Sequence, residues 1–272
     1  MTDHYAVMGY PVAHSKSPYI HAAFAEQTGQ NLDYRALLVE PGTFPARALQ
    51  FFAEGGKGLN ITVPFKQEAW ELAGVRSQQA ELAGAVNTLL QNADGSVHGH
   101  NTDGTGLVRD IMQNHGGHLR GASILVLGAG GATRGILLPL LQQQPARICI
   151  ANRTASKAEQ LATLFSGHGS VSPCGFEALN GQTFDWVINA TAASLQGELP
   201  PLPAGLLHQE SWCYDLMYGS EPTIFCRWAQ QNGAHKALDG LGMLVEQAAE
   251  AFLLWRGVLP NTAAVLAEMR KC

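Results

Sequence analysis

Three stretches of the chain carry residue types at spacings that could do chemistry. The first is Gly58-Leu59-Asn60-Ile61-Thr62-Val63-Pro64-Phe65-Lys66. Alternation along a strand puts Asn60 and Thr62 on one face, and Pro64, which cannot extend a hydrogen-bonded ladder, ends the strand and delivers Lys66 just beyond it. The second is Gly99-His100-Asn101-Thr102-Asp103-Gly104, which places a carboxylate at the apparent junction of two domains. Brought together, Lys66 and Asp103 would keep each other charged, and either could exchange a proton with a substrate hydroxyl. Spacing alone leaves open an ordinary surface ion pair, the commoner arrangement.

The third stretch is a glycine turn. Ile124-Leu125-Val126-Leu127 runs directly into Gly128-Ala129-Gly130-Gly131-Ala132-Thr133 and then into an apolar helical pattern. In that order Gly128 permits a tight turn, Gly130 lets backbone approach a pyrophosphate, and the helix N-terminus presents free N–H groups to negative charge. Thr133 replaces the third glycine of the dinucleotide fingerprint, so the flanking strand and helix carry the assignment against a plain turn. The next strand, Ile148 to Ile150, ends in Ala151-Asn152-Arg153-Thr154-Ala155-Ser156-Lys157. An NAD site usually places Asp or Glu about 20 residues after the glycines to accept from the ribose hydroxyls. Here Asn152 and Arg153 stand instead. Arg153 can pair bidentately with a 2′-phosphate, Thr154 can donate a hydroxyl hydrogen bond, and Lys157 adds a second positive charge one turn on, so the predicted cofactor is NADP. An exposed basic helix start is the plainer account of the same cations, and the missing acid weighs against it.

The elements that must position these groups read as an α/β chain. In the first part, Tyr5 to Met8, Tyr34 to Val39 and Leu59 to Val63 are predicted strands bounded by Gly9, Pro41 and Pro64. Val86 to Gln91 and Ser96 to His98 flank Asn92-Ala93-Asp94-Gly95, whose Asp-Gly step supplies the positive φ angles of a hairpin turn. A second series runs through Ile124 to Leu127, Ile148 to Ile150, Trp186 to Ile188 and Trp212 to Tyr214. These short unalternating apolar strands suit a parallel sheet covered on both faces. Helical stretches are predicted at Thr133 to Gln143, Thr154 to Phe165 and, after Gly240-Leu241-Gly242, from Met243 to Trp255.

Composition narrows the function classes. The 272 residues suggest roughly two domains. With 22 acidic residues against 17 Lys and Arg, the formal charge of −5 offers no attraction to nucleic acid or to an anionic membrane surface. No apolar run reaches the ~18 residues of a spanning helix, and Met1 to Ser15 has neither a basic start nor an apolar core, which predicts a cytoplasmic protein. Five scattered cysteines, Cys149, Cys174, Cys213, Cys226 and Cys272, support no disulfide framework, and His98 with His100 has no zinc-ligand spacing around it, so no metal is expected.

The motifs taken together resemble the shikimate dehydrogenase family. They are Ser15-Lys16-Ser17-Pro18, Asn60 to Lys66, Gly84-Ala85-Val86-Asn87-Thr88, Asn101-Thr102-Asp103, Gly128 to Ala132, Asn152-Arg153-Thr154, Tyr214-Asp215 with Tyr218, and Met243-Leu244 with Gln247-Ala248-Ala249. The eight motifs in order span nearly the whole chain, and they overturn the surface-pair account of Lys66 and Asp103. The resemblance implies a two-domain α/β protein. Residues 1–103 and 241–272 would form a substrate domain completed by the C-terminal helix, and residues 104–240 a Rossmann-type, doubly wound NADP-binding domain.

The activity it implies is reversible NADPH-linked reduction of 3-dehydroshikimate to shikimate, on the route to chorismate and the aromatic amino acids. By the same resemblance Lys66 and Asp103 are catalytic. Ser15 and Ser17, with Tyr218 nearby, would bind the substrate carboxylate, while Asn60, Thr62, Asn87, Asp103 and Gln247 would hold the ring hydroxyls. Gly128, Ala129, Gly130, Gly131, Ala132, Asn152, Arg153, Thr154, Lys157, Thr191, Leu216 and Gly240 would hold the cofactor. Which of Lys66 and Asp103 moves the proton stays open, as does monomer against homodimer. Ala192-Ala193 after Asn189-Ala190-Thr191 and Ala22 after His21 depart from the family pattern. A quinate- or NAD-using relative is the nearest rival. A non-catalytic NADPH-binding regulator is another, marked by loss of Lys66 or Asp103, and both are present.

Overall fold

A computed structural model describes residues 2–271. The chain divides into two compact units, Met1–Gly106 with Val245–Cys272, and Leu107–Leu244. Both divisions fall inside helices, a few residues beyond the boundaries expected from the sequence.

The first unit contains β1 (Asp3–Gly9), α1 (Ser17–Thr28), β2 (Leu32–Leu38), α2 (Phe44–Ala53), β3 (Gly58–Ile61), α3 (Lys66–Leu72), β4 (Val75–Arg76), α4 (Gln78–Ala83), β5 (Thr88–Gln91), β6 (Val97–His100) and the start of α5 (Asp103–Arg109). Its six-stranded sheet has the order β2-β1-β3-β5-β6-β4. β1 runs parallel to both β2 and β3, whereas β5 is antiparallel to both β3 and β6. β1 is covered on both faces. Ala6 and Met8 join a core with Phe44, Phe52, Leu59 and Phe65, and the alternate residues Tyr5 and Val7 pack with Val12, Tyr34 and Trp255. The predicted hairpin is present: Gln91 pairs with Val97, Gly95 has φ +84, and Asp94 Oδ1 accepts from the Ser96 backbone N–H at 2.9 Å. β3 ends at Ile61, two residues before the predicted limit, and Lys66 opens α3 directly after Pro64-Phe65.

The second unit holds β7 (Ser123–Leu127), α6 (Gly131–Gln142), β8 (Arg147–Ala151), α7 (Ala155–Phe165), β9 (Val171–Cys174), β10 (Phe184–Asn189), β11 (Leu207–Asp215), α8 (Ile224–Gln231) and β12 (Lys236–Leu238). The strands form one parallel sheet in the order β12-β11-β10-β7-β8-β9. Counted within the unit this is 3-2-1-4-5-6 read from the β9 edge, the doubly wound dinucleotide-binding order, whose ligands sit beyond the C-terminal strand ends where the order reverses. That reversal lies between β7 and β10, so the glycine turn after β7 and Thr191 after β10 come from the two strands that flank it. The four C-terminal residues of β7, β8 and β10 are all buried, which is why these strands read as unbroken apolar runs. The edge strands β9 and β12 are only half-buried, and neither they nor the two-residue β4 stood out in the sequence.

α9 (Leu241–Arg256) and α10 (Thr262–Met269) complete the chain. From Val245 onward α9 belongs to the first unit, where the Trp255 indole N–H donates to Leu89 O at 3.1 Å. Among the described residues Cys149, Cys174, Cys213 and Cys226 are free thiols, no group of His, Cys, Asp and Glu is arranged to hold a metal, and no helix is long and apolar enough to cross a membrane.

Candidate active site

In the first unit the sheet ends bring the predicted catalytic pair together. Lys66 is the first residue of α3, and its backbone carbonyl accepts from Val86 N at 2.8 Å. Asp103 is the first residue of α5, its backbone N–H held by Asn101 Oδ1 at 3.1 Å. The Lys66 ammonium donates to Asp103 Oδ2 at 2.6 Å, and Asp103 Oδ1 accepts from Asn87 Nδ2 at 2.8 Å. Both Asp103 oxygens are thus engaged, one by Lys66 and one by Asn87. The lysine side chain is 34% exposed and the aspartate 18%, a pair partly open to a ligand.

Asn87 is the hub of this cluster. Its amide nitrogen also approaches Thr102 Oγ1 at 3.0 Å and Gln247 Oε1 at 3.4 Å, while its Oδ1 accepts from Thr102 N at 3.0 Å and Thr88 Oγ1 at 3.0 Å. Lys66, Asp103, Asn87 and Gln247 are thus joined directly, across 181 residues of chain numbering between Lys66 and Gln247. Asn60 joins from behind. It is buried, its Nδ2 donates to Asn87 O at 3.2 Å and Thr88 Oγ1 at 3.2 Å, and its Oδ1 accepts from Tyr34 O–H at 2.7 Å. Every polar atom of the Asn60 amide therefore has a protein partner. Ser15 Oγ accepts from the Ser17 backbone N–H at 3.3 Å, and the buried Ser17 hydroxyl hydrogen-bonds the Tyr34 phenol. Thr62 lies just past β3, its backbone N–H on Met8 O, and a Cβ on Gly9 would stand 2.3 Å from its methyl group. Glycine at the end of β1 is what allows that approach.

Behind Asn60 sits His21, wholly buried on α1, its ring stacked on Tyr34 with centroids 4.2 Å apart. Burial lowers its pKa to about 3 from the ordinary 6.5, the hydrogen bond to Asn60 opposing only in part. The unfolded chain binds this proton below about pH 6.5 and the folded chain does not until about pH 3, so the unfolded state carries more protons between the two values. Stability from this group is therefore complete above pH 6.5 and is lost as pH falls toward 3, by up to about 1.4 kcal/mol per pH unit. Urea midpoints followed from pH 7 to pH 5 should fall more steeply for the wild type than for His21→Phe; parallel curves would show that His21 titrates normally in the fold.

In the second unit the glycine turn has the form a dinucleotide requires. Gly128 has φ +99, and a Cβ there would lie 3.0 Å from the Thr191 methyl. Its N–H donates to Ala151 O at 2.8 Å, and the neighbouring Ala129 N–H donates to Asn152 Oδ1 at 3.2 Å. Asn152 Nδ2 in turn donates to Thr154 O at 2.9 Å, so one amide ties the turn to the loop carrying Arg153. Gly130, Gly131 and Ala132 are exposed, and a Cβ on either glycine would meet nothing within 4 Å. That open cradle stands at the start of α6, whose Gly130 cap supplies no side chain and whose first turn has no acid. The donor set fits a pyrophosphate. Arg153, Thr154 and Lys157 are exposed around the start of α7, where cations and a hydroxyl can meet a ribose phosphate.

The remaining expected cofactor residues lie at the ends of neighbouring strands. Thr191 N–H and Oγ1 both donate to Asn189 Oδ1, at 3.1 and 2.7 Å. Asn189 Nδ2 donates to Asp215 Oδ1 at 3.0 Å, and Ser194 Oγ to Asp215 Oδ2 at 2.7 Å, so the serine beyond Ala192-Ala193 is drawn into the sheet end. Burial pushes the Asp215 pKa up, against the opposing pull of these donors. Leu216 and Gly240 meet backbone to backbone: a Cβ on Gly240 would stand 2.2 Å from Leu216 O. Tyr218, two residues on, is half-buried in this same unit, and burial raises its phenol pKa.

Sequence reasoning singled out neither His21 nor Tyr34 nor Thr102. Thr102 was visible only as the middle of Asn101-Thr102-Asp103. His21 and Tyr34 gave only a lone polar residue in an apolar helical stretch and an aromatic in a strand.

Three family models match the chain: "Shikimate dehydrogenase substrate binding domain" over residues 7–89, "Shikimate / quinate 5-dehydrogenase" over 110–196 and "Shikimate 5'-dehydrogenase C-terminal domain" over 240–270. A shikimate dehydrogenase (NADP(+)) of Nitrosococcus oceani is 55% identical over 271 residues, covering 100% of this chain and 96% of the relative. The crystal structure of an Ael1 enzyme from Pseudomonas putida superposes with a TM-score of 0.94 at 49% identity, covering 98% of each chain. That of shikimate 5-dehydrogenase from Thermus thermophilus in complex with NADP(H) and shikimate gives 0.87 at 34% identity, covering 99% of each. Identity above one half along the whole length, with family models matching stretches of both units, makes the chain a member of the shikimate dehydrogenase family.

Proposed function

We propose that the chain is an NADP-dependent shikimate dehydrogenase, interconverting 3-dehydroshikimate and shikimate. The observation that carries the chemistry is the Lys66 ammonium held 2.6 Å from a carboxylate whose second oxygen is already hydrogen-bonded to Asn87. When bound, NADPH supplies the hydride that reduces the ketone carbon. Lys66 gives one N–H proton to the oxygen that becomes the hydroxyl, leaving a neutral amine that regains its proton from water; in the oxidation the amine takes the proton back. Asp103 orients the ammonium, its two oxygens being taken up by Lys66 and Asn87. Asn87, Gln247 and Thr62 orient the ring hydroxyls, whereas Asn60, expected from the sequence in the same role, is buried with every amide atom engaged by protein and holds Asn87 in place. The Ser15 hydroxyl, free to rotate about its C–O bond, donates to the substrate carboxylate, and the Ser17 hydroxyl joins it when its proton turns away from Tyr34.

Arg153, Thr154 and Lys157 would hold the 2′-phosphate and the Gly128 to Ala132 turn the pyrophosphate, with Thr191, Leu216 and Gly240 lining the rest. A cytoplasmic location belongs to the same reading, in keeping with cysteines too scattered in the sequence to suggest a disulfide framework. The test is the absorbance of reduced nicotinamide with shikimate or quinate as substrate and NADP or NAD as acceptor. The expected result is fastest turnover for shikimate with NADP. Absence of shikimate-dependent reduction would overturn the reading, and faster quinate or NAD turnover would replace it with the rival dehydrogenase.

A further inference from the structure

We propose that His21 and Tyr34, neither of which faces the reacting atoms, are positioning residues for the substrate. Together they fix the side chain of Asn60 and, through it, the Asn87 hub, and Tyr34 also holds Ser17. The inference rests on the functional reading above.

The hydrogen-bond pattern admits one arrangement. Asn87 O is a carbonyl, already accepting from Ile61 N at 2.8 Å, so the Asn60 atom facing it at 3.2 Å must be the amide nitrogen. Asn60 Oδ1 therefore points the other way, toward Tyr34 O–H at 2.7 Å and His21 Nε2 at 3.1 Å. An oxygen can only accept, so His21 carries its proton on Nε2 and donates it to Asn60. Its other nitrogen, Nδ1, is buried and has no partner. A buried ring that leaves one nitrogen unsatisfied forfeits free energy. A phenylalanine would fill the same apolar place between Tyr34, Phe24 and Phe252 without that loss. What the imidazole adds is one N–H aimed at Asn60.

That N–H and the Tyr34 hydroxyl occupy both lone pairs of Asn60 Oδ1 and so fix the amide plane. The plane sets the two Asn60 N–H bonds on Asn87 O and Thr88 Oγ1, and Thr88 Oγ1 donates onward to Asn87 Oδ1 at 3.0 Å. Asn87 is thus held at its backbone and at its side chain while its amide N–H reaches Asp103 and Gln247. The Tyr34 phenol also hydrogen-bonds Ser17, so the tyrosine touches the residue assigned to the substrate carboxylate as well. Two ends of one ligand are registered by one buried cluster.

The experiment compares wild type, His21→Phe, His21→Gln and Tyr34→Phe by steady-state kinetics with varied shikimate at saturating NADP, and measures the NADPH Kd separately by fluorescence titration. Phenylalanine keeps the stacked ring and removes the donor. The expected result is a rise of about tenfold in the shikimate KM, with kcat within about threefold and the NADPH Kd unchanged. Glutamine can place its Nε2 near the position of the imidazole Nε2, and it should bring KM most of the way back. A shikimate KM unchanged in His21→Phe would overturn the inference, as would His21→Gln behaving no better than His21→Phe, which would assign the residue to packing. If His21→Phe does not fold, Tyr34→Phe, which removes one hydroxyl, must raise KM several-fold, and an unchanged KM there overturns the inference. A wild type inactive on shikimate defeats the functional reading, a result distinct from an active wild type with unaffected variants.

Discussion

Lys66→Ala is expected to lower kcat for shikimate oxidation by about 10²–10⁴-fold, the usual contribution of a positioned acid or base, while the NADPH Kd stays close to wild type. The substitution removes the charged group that donates to Asp103 Oδ2 and leaves Oδ1 with its Asn87 hydrogen bond. Folding should survive. The ion pair is partly exposed, and such pairs contribute about 0–1 kcal/mol, so the variant should melt close to wild type. The backbone of residue 66 is held independently by Val86 N–H, which keeps α3 in place. Lys66→Arg should fail almost as badly as alanine. A guanidinium could still pair with Asp103 but does not give up a proton near neutral pH. Turnover retained in either variant would remove Lys66 from the proton step.

Arg153→Ala is expected to change which dinucleotide the enzyme prefers. Charge-assisted hydrogen bonds contribute roughly 1.5–3 kcal/mol, so loss of the guanidinium should lower kcat/KM for NADP by about 10–100-fold and leave the value for NAD nearly unchanged. The arginine is exposed, so the effect falls on binding rather than on folding. Asn152 should keep the neighbouring turn intact in the variant, because its amide bridges Ala129 N and Thr154 O without help from residue 153. Kinetics with both dinucleotides check this, and an unchanged NADP to NAD ratio would show that Thr154 and Lys157 hold the phosphate by themselves.

These two predictions rest on residues that were legible in the sequence, and the reason is local. Lys66 follows a strand and a proline, Asp103 opens a helix after two polar residues, and the glycine turn and Arg153 stand immediately after β7 and β8. Each signal lies within a few consecutive residues. The central strands were equally clear, because a parallel strand covered on both faces has no polar alternation to obscure it. What the sequence hid depends on contacts between distant segments. His21 meets Asn60 39 positions away, and Thr102 meets Gln247 145 positions away. Nothing near His21 distinguishes it from a buried histidine satisfied by its own helix. The half-exposed strands β4, β9 and β12 lack the apolar run that marks their neighbours, and Pro173 interrupts β9 at an edge that tolerates it.

The division of the first unit into two chain segments sets an order on biosynthesis. A ribosome working from the N-terminus releases β1 to β6 long before Phe252 and Trp255, which pack against His21, Phe24, Tyr5 and Tyr34. Residues 107–244, by contrast, emerge as one uninterrupted stretch containing all six strands of the parallel sheet. Domains generally fold as units during translation. The nucleotide-binding half can therefore mature first, although it is encoded second, and the nascent substrate-binding half keeps an open flank until translation reaches the last 28 codons or so.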